Sequence, residues 1–264
     1  MKQQAEAFTP ASLTLSVVTA AVAESSIPQG IPVRRAMGMG AVSAVCLCIL
    51  SAMAVTVLQG KALSRAVRLA LTAGFFLELL QTIWQAQRLC TAEFSSMALV
   101  GFLPLLLWAG WHIRPGRWNA SARVLWWFAG AGGVICLLGL MGQMHWYRLL
   151  PSVQTVHLAW RVPVYAEYFA GAILCNARAV RCTVWLPVWS FAVQAAVLLG
   201  NALLFGSGTY PQMELLRAWS GGTFSRMDAL LLLFWLLCAV CRAAMLCAAI
   251  RLLWQPRTEP GVQP

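Results

Sequence analysis

From Ala229 to Ile250 the chain is apolar but for a single residue, Arg242. A run of that length crosses the hydrocarbon core of a bilayer as a helix. In lipid every backbone N–H and C=O has to be bonded within the protein, which restricts spanning segments to helices and closed barrels. A guanidinium inside such a run cannot face lipid, so it faces protein or water. Arg242 is therefore a site residue or a buried contact, and the rest of the chain has to supply its partners.

The rest of the chain is apolar enough to do so inside a membrane. Of its 264 residues 60% are apolar and 10% charged, with thirteen Trp, whereas a soluble domain carries about 25% charged residues. The hydropathy pattern predicts an all-α, polytopic helical bundle of about eight transmembrane segments, near 11 to 28, 36 to 58, 66 to 86, 96 to 113, 122 to 142, 162 to 178, 183 to 206 and 227 to 252. No stretch is left for a separate polar core, so residues 1 to 254 form one integral membrane domain and 255 to 264 a polar tail. Ala21-Val22-Ala23 before Glu24 imitates a signal-peptidase site. Lys2 is offset by Glu6, however, and the apolar core is diluted by Thr and Ser, so the segment reads as retained.

The net charge of +11 does not indicate nucleic acid, because the Arg residues are scattered between apolar runs and form no single basic face. Short basic loops are what membrane orientation requires, and the larger share of Lys and Arg falls on one side when the N-terminus is cytoplasmic. The nine Cys lie mostly in or beside apolar segments as small buried hydrophobes, and Cys238 and Cys241 form a CxxC inside a predicted helix. No metal-ligand spacing, HExxH, nucleophile elbow or phosphate-cradling glycine loop is present. No enzymatic activity, metal or cofactor is expected.

Three polar clusters interrupt the apolar pattern. Glu24, Ser25, Ser26, Pro28 and Gly30 end the first apolar segment. Either the helix breaks near mid-membrane, with Ser and Glu meeting freed backbone groups, or it stops at the membrane surface. In the third segment Glu78, Gln81 and Gln85 recur at offsets of three and four and share one helix face. They line a ligand cavity or make an inter-helix contact. The sixth segment starts at Pro163, contains Gly171, and places Tyr165, Glu167 and Tyr168 together, a set suited to an amine or ammonium group.

A continuous block from Tyr210 onward, with Pro211, Glu214, Leu215, Arg217, Arg226, Asp228, Trp235 and Arg242, resembles the B-subunit family of spore-germinant receptors (GerAB type), which is related to amino-acid/polyamine/cation transporters. Leu149-Leu150-Pro151 is similar to that family's Leu-Leu-Pro loop. Gly110 and Ala122-Arg123 are similar to elements between its fourth and fifth helices, although Trp111-His112 stands where a Glu is expected. The resemblance implies a transporter-like fold with broken helices near Glu24 to Pro28 and near Pro163 to Glu167, packed against each other. It implies a subunit that binds a small nutrient such as an amino acid and signals to a larger membrane subunit and a lipoprotein subunit to trigger germination. The place would be the spore inner membrane or the cell membrane of an endospore-forming bacterium. A transporter of amino acids or similar solutes is the alternative. Such proteins continue through at least one more membrane helix, and the tail after Trp254 is too short to cross, so a C-terminally shortened member is expected.

The expected ligand pocket gathers Glu24, Ser25, Ser26, Glu78, Tyr165 and Glu167, with Glu78 or Glu167 meeting an amine. Pro211, Arg226, Asp228, Trp235 and Arg242 are expected to be structural, Asp228 favouring the positive end of the last helix. Arg242 is the internal competitor for the two acids. Pairing with either would make that acid a structural ion pair.

Overall fold

The computed structural model describes residues 7–24, 33–58, 63–94, 98–142, 144–149, 162–175, 180–205 and 227–255. These form α1 (Pro10–Glu24), α2 (Val33–Leu58), α3 (Arg65–Phe94), α4 (Ala98–His112), α5 (Pro115–Met141), α6 (Ala166–Leu174), α7 (Val180–Thr183), α8 (Leu186–Phe205) and α9 (Met227–Trp254). Among the described residues there is no strand, and one isolated bridge joins Phe8 to Cys175. Among the described residues five helical stretches are long and apolar enough to cross a membrane: Arg35–Leu58, Arg65–Arg88, Pro115–Met141, Val180–Leu204 and Leu233–Trp254. The architecture is thus an all-helical membrane bundle.

Helices overlap the expected segments but differ at their ends, and five of the stretches are long and apolar enough to span. Pro115 at the first position of α5 starts that helix earlier than expected, as a proline without an N–H is tolerated there. The seventh segment is divided into α7 and α8. Pro187 sits in the first turn of α8, and proline lacks the N–H that would bond the carbonyl four residues earlier, at Thr183 where α7 ends. The sixth segment is much shorter than expected, because residues 162–165 precede α6 without helical structure and Tyr165 is extended at φ −107 and ψ 143. The tail after Gln255 lies outside the described residues.

α9 occupies the centre. It packs against α3, α4, α1 and α5, while α2 lies against α8 and α6 and α1 also lies against α8. Every residue from Cys241 to Ala249 is buried. By contrast α2 exposes Val42, Val45, Ile49 and Met53, and α5 exposes Val124, Trp127, Phe128 and Leu138. Apolar faces of that extent are suited to lipid.

α1 and α6 run antiparallel, with Phe8 N donating to Leu174 O at 2.8 Å, Ser16 Oγ to Glu167 Oε1 at 2.7 Å and Tyr165 Oη to Glu24 Oε2 at 2.9 Å. At 1.5 Å per residue the 15 residues of α1 and the 9 of α6 each fall short of the roughly 30 Å core. Hydrogen bonds thus join these two elements. Whether the first helix resumes after Glu24 falls on residues 25–32, outside the described residues.

Close approach depends on small residues, as it does in membrane bundles generally. A Cβ on Gly110 of α4 would sit 2.9 Å from Cys247 Cβ and 3.0 Å from the Ala244 backbone of α9, whereas one on Gly130 of α5 would meet nothing within 4 Å. Gly110→Ala is expected to destabilise the protein by about 1–3 kcal/mol through overpacking. Gly130→Ala should be neutral or stabilise by up to about 1 kcal/mol, as a helix-interior glycine is replaced. Thermal unfolding in detergent checks both, and equal midpoints for the two variants would contradict the α4–α9 contact.

Candidate functional site

The polar residues that interrupt α1, α3, α6 and α9 converge on Arg242. Its side chain is 3% exposed, and its guanidinium, with five N–H donors in a fixed fork, is engaged on all three nitrogens. Nε donates to Ser16 Oγ at 3.2 Å, Nη1 to Thr82 Oγ1 at 2.9 Å, and Nη2 to both Glu78 Oε2 at 2.8 Å and Glu167 Oε1 at 3.2 Å. The hydroxyls are then committed in the other direction. Ser16 donates to Glu167 Oε1 at 2.7 Å and Thr82 to Glu78 O at 2.7 Å. The Tyr165 ring lies 5.4 Å from the guanidinium carbon, within cation–π range.

Glu78 does a second job. Its Oε1 accepts from the Ala166 N–H at 2.5 Å. Ala166 opens α6, whose N-cap residue Tyr165 makes no side-chain cap bond. The first N–H groups of a helix have no intrahelical acceptor and carry the positive end of its dipole. A carboxylate from α3 therefore caps α6 across the bundle. The approach is held from α2 as well, with Ser43 Oγ accepting from Val162 N at 3.1 Å and Ser51 Oγ donating to Tyr168 O at 2.7 Å.

Glu24 closes the cluster at the end of α1. Its two oxygens accept from Tyr165 Oη at 2.9 Å and from the Gln81 amide. It is half-buried, and no hydrogen bond joins it to Arg242 among those the structure places on that guanidinium. Hence Glu24, Glu78, Tyr165 and Glu167 from the expected pocket do come together, and Gln81 joins them. Ser25 and Ser26 lie outside the described residues, as do Pro211 and Arg226; Asp228 falls in the first turn of α9, with its side chain outside them. Trp235 is half-buried with its Nε1 unbonded. Both acids expected to meet an amine are instead paired with Arg242, the case in which they act as structural ion pairs.

Ser16 and Thr82 escape sequence reasoning. So does Asn119 of α5, whose Nδ2 donates to Ala7 O at 2.8 Å and whose Oδ1 accepts from Thr9 N at 3.1 Å, fixing the segment that leads into α1. The only sequence signal for Thr82 is its place one turn after Glu78. Among the described residues no three His, Cys, Asp or Glu side chains are grouped to hold a metal, and Cys238 and Cys241 are buried free thiols. Compared with protein-family models, with curated proteins and with solved structures, the chain gives no match. The functional reading therefore rests on the residues themselves.

Removing one partner from a buried ion pair is far more costly than replacing the whole group. Arg242→Gln should lose about 3–5 kcal/mol of stability because two carboxylates stay behind without their cation. The triple variant Arg242→Met, Glu78→Gln, Glu167→Gln is expected to unfold closer to wild type than Arg242→Gln alone. Thermal midpoints and the fraction eluting as a single species in detergent measure this, and a triple variant less stable than the single one would refute the pairing.

Proposed function

We propose that this chain is a solute-binding membrane subunit of the germinant-receptor B type, with a transporter-like core in which α1 and α6 are the two broken helices. The supporting observation is that α6 begins inside the bundle after an extended approach, beside the half-buried Glu24 at the end of α1 and its bond to Tyr165. Two short antiparallel helices ending at a charged cluster are an arrangement that places small zwitterions against helix ends and side chains in membrane carriers. The resemblance of Pro211 to Arg242 to the germinant-receptor family adds the direction of the function. The subunit binds a small nutrient such as an amino acid and passes the event to a larger membrane subunit and a lipoprotein, in the spore inner membrane or cell membrane of an endospore-forming bacterium. About eight membrane segments and a cytoplasmic N-terminus belong to the same reading.

Within the cluster Glu24 is the acid we assign to the ligand's ammonium group. Glu78 and Glu167 bond Arg242 directly, whereas the hydrogen-bond donors to Glu24 among the described residues, Gln81 and Tyr165, are neutral. The C-terminal end of α1 is also the negative end of its dipole, which favours a cation there. The second reading, uptake of the same solutes, draws on the same pair of helices and requires alternating access.

Thermal stabilisation of the purified protein against a panel of common amino acids tests the proposal. A ligand at 100 times its dissociation constant adds about 2.7 kcal/mol to stability. Glu24→Gln should weaken the stabilising ligand about 10- to 100-fold, the effect of one hydrogen bond to a charged group at about 1.5–3 kcal/mol, while leaving the unliganded midpoint near wild type. Absence of stabilisation by every member of the panel contradicts the solute-binding reading, and an unchanged affinity in Glu24→Gln removes the amine assignment. Accumulation of the bound solute in proteoliposomes would favour transport over sensing.

A further inference from the structure

Charge does not balance around Arg242. Two carboxylates, Glu78 from α3 and Glu167 from α6, bond the same Nη2 nitrogen, at 2.8 and 3.2 Å, so both carboxyl groups are gathered around one atom. Among the described residues, the remaining charged or titratable groups that act on this centre are Glu24 from α1, Tyr165 and Tyr168 from α6, and Arg242 itself from α9. None of them is a second cation. The fully ionised triad therefore carries one negative charge in excess, and Glu24 adds to it.

Position makes that excess costly. Glu167 is 1% exposed and Glu78 8% exposed, and uncompensated charge inside a membrane bundle is paired or neutralised. Two carboxylates sharing one site do not both stay ionised. Glu167 Oε2 is also buried with no hydrogen-bond partner, although an ionised oxygen in such a place is expected to accept at least one bond. Every other carboxylate oxygen of the triad is occupied, by Arg242, Ser16 or the Ala166 N–H.

We propose that the Glu78–Arg242–Glu167 triad binds one proton, shared between the two carboxyl groups, and that Arg242 neutralises the charge that remains. The group becomes electrically neutral, and the bonds of Arg242 to both acids are kept. The triad is thus a proton site at the junction of α3, α6 and α9. Any rearrangement that separates Glu167 from Glu78 releases that proton or passes it on. This inference rests on the triad's geometry and does not depend on the solute-binding reading.

Infrared spectroscopy of the full chain in lipid nanodiscs, without ligand and near neutral pH, tests it. The wild type should show a carboxylic-acid C=O band that shifts in D2O. Glu78→Gln and Glu167→Gln should each lose the band, since one carboxylate facing Arg242 needs no proton, while Glu24→Gln should retain it. A wild type with carboxylate bands only, or a band that persists in both triad variants, overturns the proposal. Thermal unfolding against pH provides a second readout on the same proteins. A folded state holding one proton that the unfolded chain has lost weakens as pH rises, its folding equilibrium falling up to about tenfold per pH unit. That slope should disappear in Glu167→Gln, and an identical slope in the variant also overturns the proposal. Failure of every amino acid to bind would leave both measurements unaffected.

Discussion

The guanidinium of Arg242 is the interaction on which the arrangement of the bundle depends. Lipid tails are as apolar as the helix faces they contact, so apolar character alone does not tell α3 or α6 where to sit relative to α9. A buried cation does. It requires acceptors from Ser16 on α1, Thr82 and Glu78 on α3 and Glu167 on α6 at one depth, and a shift of any of these helices by a turn of about 5.4 Å breaks the set. Buried ion pairs add little net stability compared with apolar replacements. Their contribution here is to fix register among four helices, while small residues such as Ala244 and Gly110 permit the approach.

The second constraint is the backbone of α6. A helix of 9 residues inside a membrane leaves polar groups at both ends where water is scarce, and each end has to be satisfied by another element. Glu78 takes the Ala166 N–H at one end, and at the other Leu174 O accepts from Phe8 N. The N-terminal segment that supplies Phe8 is itself tied to α5 through Asn119. A short helix thus persists in the interior because two other parts of the chain complete its hydrogen bonds and a third holds one of them in place. The same Glu78 carboxylate bridges that helix end to Arg242, so the two constraints meet in one side chain.

Several of these features are legible in the sequence, and the reasons the others are not can be stated. Long apolar runs announce spanning helices, and Glu78 with Gln81 at helical spacing announces a polar face, because membrane burial makes each polar interruption expensive. Pro163 with Gly171 marks the sixth segment as interrupted, since proline fixes φ and removes a donor, whereas the extended backbone at Tyr165 is not set by that proline. Hydroxyl roles are different. Thr14, Thr19, Thr72 and Thr82 all donate to the carbonyl four residues earlier, a local bond open to any threonine in a helix. Only Thr82 also accepts from an arginine some 160 positions away in sequence, and nothing local distinguishes it. Ser16 is hidden for the same reason. Arg242 is legible as a competitor for Glu78 or Glu167, but not that it holds both at once, because pairing depends on which helices become neighbours, information that spacing within one helix does not contain.

Tyr165 joins the charged triad to the more open part of the cluster. Its hydroxyl bonds Glu24 and its ring faces Arg242, so an occupant of Glu24 that displaces the hydroxyl acts on the cation through one rigid side chain. Magnitudes limit what such a link can achieve. A hydrogen bond to a charged group contributes about 1.5–3 kcal/mol and a desolvated cation–π contact about 2 kcal/mol. An event at Glu24 that trades one of these contacts can therefore shift a two-state equilibrium by about 10- to 100-fold, within the 1–3 kcal/mol typical of coupling between sites. That suffices to bias how α1 and α6 sit against α9. It does not suffice to expel Arg242 from its carboxylates, whose separation costs about 3–5 kcal/mol. On the solute-binding reading, the response to a ligand is accordingly a rearrangement of the helices around an intact or nearly intact triad, with α9 as the fixed member.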